Sequence, residues 1–359
     1  MTSGTRGVRC MLMRGGTSKG AFFLEDDLPP DVEERNALLM QVMGTPDPRQ
    51  IDGVGGAHPL TTKVAIVSPA QDPVADVDYL FLQLGVDEPL VTDRQNCGNM
   101  LAAVGPFAVE RGIVEPADGI ASVRIFMRNT DGRAVASFPV REGVPVYHGD
   151  TEISGVPGTA ARIDIEFLDI AGGTTGALLP TGNVSDMVAG VESTLIDNGM
   201  PVVVLRAEDV GVAGDESCEE LESNEELAGK LEEIRIAAGH LMNLGDVSAA
   251  TIPKMTLVAP AKKGGAVSTR TFIPHRCHRA IGVLGAVSVA TACLLQGSPA
   301  AAIAGLEADE TEVRLEHPSG VFDTRIRLRT EGGSPSVQSA GIVRTARKLM
   351  DGLVFPRAY

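Results

Sequence analysis

Short apolar runs, separated by glycine- and proline-rich turns, constrain the fold of this chain more than any other feature of its sequence. Typical runs are "GVRCMLMR", "KVAIVSPA" and "VDYLFLQLGV". The 359 residues include 41 glycines and 22 prolines, which favours a strand-rich fold over a helix bundle. Tryptophan is absent and aromatic residues make up only 4%, so aliphatic side chains and methionine must build the cores.

Only a few segments have the spacing of helices. "DVEERNALLMQVM" is amphipathic and has Asp31 as its predicted N-cap. A second amphipathic helix is predicted to open with a capping box over Ser223–Glu226. Two apolar helices are also predicted, one from about Cys97 to Arg111 and one entered through "PHRCHRAIGVLGAVSVATAC". The sequence therefore predicts an α+β fold in which strands predominate.

The two halves of the chain share one layout of many strands, one apolar helix, and a cysteine near the entrance of that helix (Cys97 and Cys277). This layout suggests an internal duplication, with two pseudo-symmetric domains that each wrap around a central helix. We predict domains at residues 1–175 and 176–359, and we expect the last strands to return to the first domain. A cleft between the domains would then hold a ligand.

Charge and cysteine content narrow the class of partner. A formal net charge of -16 argues against nucleic acid or an anionic membrane as the partner, but it allows a small anionic substrate in a local basic pocket. The five cysteines are scattered and odd in number, so we predict a reducing, cytoplasmic setting without a disulfide framework. The N-terminus has no signal-peptide pattern, and glycines and a proline interrupt the long apolar run from Ala280, which predicts a core helix.

Cys97 is the first candidate for chemistry. Polar residues precede it and small or apolar residues follow it, which places the thiol at a predicted helix N-terminus, where the thiolate is favoured. The backbone amides of Gly98 and Asn99 would be open to a ligand carboxylate there. A buried, unreactive cysteine is the equally weighted alternative.

Two further segments carry polar groups at the ends of predicted strands. "MRGGTSKG" lacks the Walker spacing, but Thr17, Ser18 and Lys19 lie in a turn that would form an anion-binding nest. An ordinary glycine-rich hairpin is the alternative. In "GGAHPLTTKVAIV", Lys63 stands beside Thr62 at the junction of a loop and an apolar strand. Partial desolvation there would make a neutral amine available as a proton acceptor, whereas a solvated surface lysine is the alternative.

"HRCH" contains His275, Cys277 and His278, which are residue types that bind metals. No second cluster with zinc-like spacing follows, so we expect no metal. Arg276 and Arg279, together with the start of the following helix, would instead form a second anion-binding spot.

Taken together, several motifs resemble those of a known family. "QNCGN" resembles the signature of the diaminopimelate epimerase-like superfamily. With "MRGGTSKG", "RQIDGVGGAHPLTTKVAIV", "GALLPTGN" and "HRAIGVLGAVSVATA", it resembles the branch of 2-methylaconitate isomerases and 4-oxalomesaconate tautomerases. "VDYLFLQLGVDEPLVTDRQNCGNM" looks closer to the 4-oxalomesaconate enzymes of protocatechuate and gallate breakdown.

The resemblance implies a two-domain fold, no cofactor, and a small anionic tricarboxylate as the substrate. It implies that Lys63 and Cys97 are the catalytic pair, in an allylic 1,3-proton shift. The substrate-binding set that we predict is Thr17, Ser18, Lys19, Thr62, Gly98, Asn99, His278 and Arg279. A homodimer is the assembly that we expect.

One departure from the superfamily pattern concerns the second cysteine. Epimerases pair two cysteines, the second in a "GTG.C" setting, whereas Cys277 here lies in "HRCHRA". Three alternatives stay open at this point: a methylaconitate or aconitate isomerase, an amino-acid racemase on the same scaffold, and a non-catalytic carboxylate-binding protein.

Overall fold

The computed structural model describes residues 7–94, 96–307, 309–331 and 334–357. Gln95, the first residue of "QNCGN", lies outside these ranges. The chain forms two compact units, one of residues up to 168 together with those from 343, and one of residues 169–342. The domain boundary predicted between residues 175 and 176 stays a prediction.

The elements of the first unit are mostly strands, which confirms the α+β prediction for this half. In chain order they are β1 Val8–Gly15, β2 Ser18–Leu24, α1 Val32–Met43, β3 Lys63–Pro69, β4 Val77–Leu84, β5 Val91–Thr92, α2 Gly98–Leu101, α3 Val104–Glu110, β6 Gly119–Met127, β7 Gly132–Arg141, β8 Val144–Pro145 and β9 Ile163–Leu168.

The second unit has the same character, and the chain then returns to the first. The elements are β10 Asp186–Val188, β11 Val191–Asp197, β12 Pro201–Arg206, α4 Cys218–Glu222, α5 Glu225–Leu241, β13 Lys254–Pro260, β14 Val267–Ile273, β15 Arg276–Cys277, α6 Val283–Leu294, α7 Pro299–Ala304, β16 Glu312–His317, β17 Gly320–Glu331, β18 Ser334–Arg344 and β19 Ala346–Val354. Short 3-10 helices lie at Glu25–Asp27 and Glu208–Val210.

Strand pairing repeats between the two units. In the first unit the neighbouring strands follow the order β1, β2, β3, β4, β6, β7 and β9. The pairs β2–β3 and β4–β6 are parallel, and the other pairs in this order are antiparallel. In the second unit β11, β12, β13, β14, β16, β17 and β18 follow in the same way, with β12–β13 and β14–β16 parallel. The pseudo-symmetric layout predicted from the sequence is confirmed. Strand β19 pairs with β1.

In each unit the strands bury one face against an amphipathic helix. In the first unit Leu39, Val42 and Met43 of α1 join the core beneath β2, β3 and β4, and Asp31 caps α1 by accepting from Glu33 and Glu34, as predicted. In the second unit α5 supplies the equivalent core. None of the helices in the described part of the chain is long and apolar enough to span a membrane.

The predicted capping box lies one helix away from where the sequence placed it. Asn224 is the N-cap of α5, and its side chain accepts from the Leu227 N–H at 3.0 Å. The capping box is formed instead by Ser217 and Glu220 at the start of α4. The sequence pattern was misread because α4 ends at Glu222 and Ser223 is its C-cap, so that the end of one helix and the start of the next both fall at the predicted box.

The helix predicted from Cys97 to Arg111 is two helices, α2 and α3, separated by Ala102 and Ala103. Pro106 explains the break. It has no N–H to continue the helical hydrogen bonds, and its ring would clash with the carbonyl four residues earlier. The proline is therefore accommodated in the first turn of a new helix.

A charged contact anchors the end of α3 to β19. The guanidinium of Arg111 donates two hydrogen bonds, both of 2.8 Å, to the carboxylate of Asp351 and lies 5.3 Å from the ring centroid of Phe107. The Arg111 side chain is 1% exposed and that of Asp351 is 36% exposed, so the guanidinium is buried while the carboxylate keeps contact with water.

We expect Arg111→Met to lower the free energy of unfolding by about 1.5 kcal/mol, because a bidentate pair with a buried guanidinium is lost while water still solvates the exposed side of Asp351. Urea denaturation at pH 7 measures the loss. Arg124→Met is the matched control, since Arg124 pairs with Asp76 but is half exposed, and its loss should stay below about 1 kcal/mol. Equal losses from the two variants would contradict the anchoring role.

The same contact makes the effect of Arg111→Met depend on pH. Arg111 hydrogen bonds hold the pKa of Asp351 below its usual range. The contribution to stability is therefore complete above the unfolded pKa of about 4 and is lost as the pH falls through the lowered folded pKa. The difference between wild type and Arg111→Met should shrink below about pH 4 in urea titrations, and a constant difference would argue against this pairing.

Candidate active site

One face of β2, β3 and β4 carries the polar residues of the candidate site. Strand register pairs Gly20 with Lys63 and Lys63 with Gln83, so these residues share a face. Alternation along the strands adds Ser18 and Tyr79 to it. We call this side of the sheet, carrying Ser18, Gly20, Lys63, Tyr79 and Gln83, the Lys63 face.

Helices α2 and α3 cover the Lys63 face. Phe107 of α3 lies 5.6 Å, between ring centroids, from Phe22 of β2. A Cβ atom on Gly20 would lie 2.4 Å from Cε of Met100 in α2, so the helix touches the strand backbone beside Lys63. The predicted lysine and the predicted cysteine helix therefore lie on the same side of this sheet.

Lys63 is buried, with 6% of its surface exposed, and its amine is held in place. Its Nζ donates to Oε1 of Gln83 at 2.6 Å and lies 4.9 Å from the ring centroid of Phe81. Gln83 is itself held, because its Nε2 donates to the carbonyl of Thr62 at 3.0 Å. The alternative of a solvated surface lysine is therefore wrong, whereas the role of Lys63 as a catalytic residue stays a prediction.

Cys97 is the N-cap of α2 and is half-buried. Its carbonyl accepts from the N–H of Leu101 at 3.0 Å. The N–H groups of Gly98 and Asn99 belong to the first turn, which the hydrogen-bond pattern of a helix does not use. The predicted position of the thiol at the start of a helix is confirmed, although that helix is only four residues long.

The segment before Cys97 is tied to β6 and to the residues that follow it. Asn96 Nδ2 donates to Thr130 Oγ1 at 2.5 Å and to Met127 Sδ at 3.5 Å. Asn129 Nδ2 donates to the carbonyl of Asp93 at 2.7 Å. These hydrogen bonds hold Asn96, directly before Cys97, and Asp93 in place.

The glycine turn between β1 and β2 lies against the first turn of α2. Asn99 Nδ2 donates to Thr17 Oγ1 at 3.0 Å. Gly16 has a φ of +51°, and a Cβ there would lie 2.2 Å from Asn99 Oδ1, so only glycine fits this close approach. Tertiary structure thus joins two motifs that are about 80 residues apart in the sequence.

Several buried polar atoms around this site have no hydrogen-bond partner among the described residues. They are Ser18 Oγ, Tyr79 Oη, Asn96 Oδ1 and Asn99 Oδ1. Each buried unpaired group costs about 1–3 kcal/mol of stability. Such atoms, clustered at one face beside a buried amine, are what a site for a polar ligand requires.

Thr62 is fully buried and its hydroxyl is used within its own loop. It lies 2.9 Å from both Gln50 Oε1 and the His58 carbonyl. Gln50, which is 2% exposed, also accepts from the N–H of Ala57 at 2.8 Å and thereby organises the glycine-rich loop. Sequence reasoning missed Gln50, because nothing in the loop's composition marks one glutamine as buried. The substrate-binding role of Thr62 stays a prediction.

Lys19 lies apart from the other members of the predicted anion nest. Alternation along β2 gives it the face opposite to Ser18. A Cβ on Gly56 would lie 3.4 Å from Lys19 Nζ, and the Lys19 N–H donates to the Leu60 carbonyl at 2.9 Å. The lysine thus accompanies the loop before β3, and its substrate-binding role stays a prediction.

His278 and Arg279 belong to the second unit. His278 Nδ1 accepts from the N–H of Ala280 at 2.9 Å, which leaves Nε2 as the N–H donor, and burial lowers the pKa of the ring. Arg279 is 78% exposed and pairs with Glu219. Cys277 lies on β15 ahead of α6, is 5% exposed, and has its pKa raised chiefly by burial.

Lys254, which sequence reasoning did not single out, has the position in the second unit that Lys63 has in the first. Each is the first residue of a strand that runs parallel to its neighbour, with the pairs Val202–Lys254 and Gly20–Lys63. Burial lowers the pKa of Lys254. Only the strand order reveals this equivalence, because the residues before the two lysines differ.

Replacing the glycine at the contact with Asn99 tests the geometry of the site. We expect Gly16→Ala to lower the free energy of unfolding by about 2 kcal/mol, because the methyl group meets Asn99 and the backbone has a positive φ. Gly229→Ala is the matched control, since Gly229 lies within α5 in open space, and it should raise stability by up to about 1 kcal/mol. Chemical denaturation of both proteins makes the comparison, and a neutral Gly16→Ala would refute the close contact.

Comparison with known proteins gives matches over nearly the whole chain. A family model described as "PrpF protein" matches residues 6–357. The (4E)-oxalomesaconate Delta-isomerase of Novosphingobium sp. (strain KA1) is 57% identical over 347 residues, covering 96% of this chain and 96% of that protein. The 4-oxalomesaconate tautomerase of Pseudomonas putida (strain KT2440) is 56% identical over 348 residues, covering 97% and 95%.

A solved structure shares the fold. The crystal structure of methylitaconate-delta-isomerase matches with a TM-score of 0.89 and 32% identity, covering 99% of this chain and 96% of that one. The fold implied by the sequence motifs is therefore confirmed.

Proposed function

Because the chain belongs to the PrpF protein family, we propose that it is an isomerase that moves a proton within an unsaturated tricarboxylate, with 4-oxalomesaconate as the substrate. The names of two relatives at 57% and 56% identity support this substrate. In this proposal the reaction needs no cofactor, takes place in the cytoplasm, and belongs to the breakdown of aromatic compounds.

One observation carries the proposal: a buried, hydrogen-bonded lysine lies on the sheet face that is covered by the cysteine-capped helix. An amine and a thiol on one side of a sheet supply the two proton-transfer groups that an allylic shift requires. The unpartnered atoms of Ser18 and Asn99 supply hydrogen-bonding groups for the substrate's oxygens.

The reaction balances with a single proton. One group removes a proton from a carbon next to an activated carbonyl or alkene, and the electron pair spreads onto oxygen as a dienolate. The amides of Gly98 and Asn99, with Ser18, would stabilise this oxygen charge. The proton then returns to the other allylic carbon, so that the double bond moves and no oxidant or reductant is consumed.

Lys63 is suited to the first step when it is neutral. A neutral amine donates one N–H to Gln83 and still has a lone pair to direct at the substrate. Cys97, at the start of α2, is suited to return the proton or, as the thiolate, to remove it. Variants of the two residues distinguish the order of the transfers.

We expect Lys63→Met to lower kcat by about 10²–10⁴-fold without unfolding the protein, because it removes one proton-transfer group. NMR in D2O with 4-oxalomesaconate follows both double-bond migration and deuterium incorporation. Lys263→Met, at an exposed position in the second unit, is the control and should keep wild-type activity. An active, correctly folded Lys63→Met would remove the lysine from the mechanism.

Cys97→Ser tests the second group in the same assay. We expect a loss of kcat of about 10²-fold or more, because a hydroxyl is a far weaker acid than a thiol. If this variant still exchanges the substrate proton with D2O while isomerisation stops, then Lys63 acts first. Turnover at the wild-type rate would make the thiol a structural group only.

The other activities give different results with the same instrument. A racemase on this scaffold would exchange the α-proton of proline or diaminopimelate and would require Cys277 as a second thiol. A carboxylate-binding protein would bind 4-oxalomesaconate without deuterium incorporation. Migration of the double bond in methylaconitate, but not in 4-oxalomesaconate, would reassign the substrate within the family. Light scattering in solution tests the homodimer.

A further inference from the structure

Tyr79 is the largest buried polar side chain of the candidate site that no role yet explains. It is fully buried in β4, and its hydroxyl has no hydrogen-bond partner within the described ranges. Phenylalanine would fill the same space without this cost, which is about 1–3 kcal/mol for a buried unpaired donor. The hydroxyl therefore calls for an explanation outside the packing of the folded chain.

The neighbours of Tyr79 lead to Cys97. On the Lys63 face, Tyr79 pairs with Met127 of the adjacent parallel strand β6. The Met127 sulfur accepts from Asn96, the residue directly before Cys97, at 3.5 Å. The N–H of Arg128, the next residue of the chain, donates to the Tyr79 carbonyl at 2.9 Å. The segment that holds the thiol is thus tied to the strand that lies beside the phenol.

Electrostatics agrees with this placement. The pKa of Tyr79 is raised well above its usual value, first by burial and then by the charge that Cys97 carries as a thiolate. The phenol therefore keeps its proton at neutral pH, so that its neutral hydroxyl can donate a hydrogen bond. A thiolate needs a donor of this kind.

We propose that Tyr79 is a positioning residue, whose hydroxyl donates a hydrogen bond to the Cys97 thiolate formed during the reaction. The donor stabilises the charged sulfur and holds it on the Lys63 face. The effect of this hydrogen bond on turnover rests on the proposed function, but the hydrogen bond between Tyr79 and the Cys97 thiolate is testable without any substrate.

The charged groups on the elements around Tyr79 have partners elsewhere or lie on the other side of the sheet. Arg128 pairs with Glu25, and Asp78, one of whose buried oxygens has no partner within the described ranges, lies on the opposite face of β4 by strand alternation. Lys63 donates to Gln83. Asp93 precedes the cysteine segment, and its charge acts on Arg35 of α1. At the far end of α3, Glu110 pairs with Lys348 and Arg111 with Asp351. The phenol is therefore an uncommitted donor on the side of the sheet where this thiol lies, as is the unpartnered hydroxyl of Ser18.

The test compares the pH dependence of Cys97 alkylation in wild type and Tyr79→Phe. Iodoacetamide labelling is read by mass spectrometry on the tryptic peptide between Arg94 and Arg111, while the other four cysteines are buried. We expect the midpoint in Tyr79→Phe to move up by about one pH unit, with labelling about tenfold slower below it, because the thiolate loses a donor. We expect kcat to fall about tenfold, with KM unchanged within twofold.

Thermal unfolding separates this role from packing. Tyr79→Phe should keep its Tm or raise it by about 2–4 °C, because an unpaired buried donor is removed. Tyr147→Phe is the matched control: its hydroxyl donates to Glu110 at 3.2 Å, so its loss should lower Tm by about 2–4 °C and leave Cys97 labelling unchanged.

Two results would overturn the proposal. One is a labelling profile of Tyr79→Phe that superimposes on that of wild type, and the other is a fall in Tm equal to that of Tyr147→Phe. A shifted profile in a protein that isomerises none of the candidate substrates would support the contact and defeat the proposed function. Isomerisation with an unshifted profile would do the reverse.

Discussion

The close approach of a glycine turn to the first turn of a helix is the constraint on which the first unit depends. Gly15, Gly16 and Gly20 have no side chains, so α2 can lie directly on the ends of β1 and β2. This contact places Asn99 against Thr17 and brings the cysteine that caps α2 to the sheet face that carries Lys63. With larger residues at these positions the helix would stand away from the strands, and Lys63 and Cys97 would no longer share one side of the sheet.

The Lys63 face buries polar groups that have no hydrogen-bond partner among the described residues, and this burial lowers the free energy of unfolding. Ser18, Tyr79 and Asn99 each keep a buried polar atom unpaired within the described part of the chain. A sheet built only for stability would carry apolar side chains there, as its opposite face does beneath α1. Unpaired polar groups lower the stability of the fold, but they are already oriented for hydrogen bonding before a ligand binds. The fixed amine of Lys63, bound to Gln83, follows the same principle.

The two units share one strand order but carry different residues at equivalent places. Lys254 has the topological place of Lys63, yet the cysteine ahead of the second apolar helix lies on a strand and is buried. Both units have the same order of parallel and antiparallel pairs, because backbone hydrogen bonds and apolar alternation define the pairing. The residues at the helix entrances are not required by the pairing, so they differ. One unit has a half-exposed thiol there, and the other has a histidine whose pKa is lowered by burial.

The sequence by itself determined the strand-rich α+β class, the cap at Asp31, the position of Cys97 at a helix start and the burial of Lys63, because each follows from local pattern. It did not determine the break before Pro106, the cap at Asn224 in place of Ser223, or the face on which Lys19 lies, since helix ends and strand parity depend on a residue or two. Only the tertiary structure decided that Gln50 organises its loop, that Gln83 holds Lys63, and that Tyr79 lies beside the cysteine segment. These contacts join residues from separate strands and loops, and strand register, which no local pattern encodes, sets which of them meet.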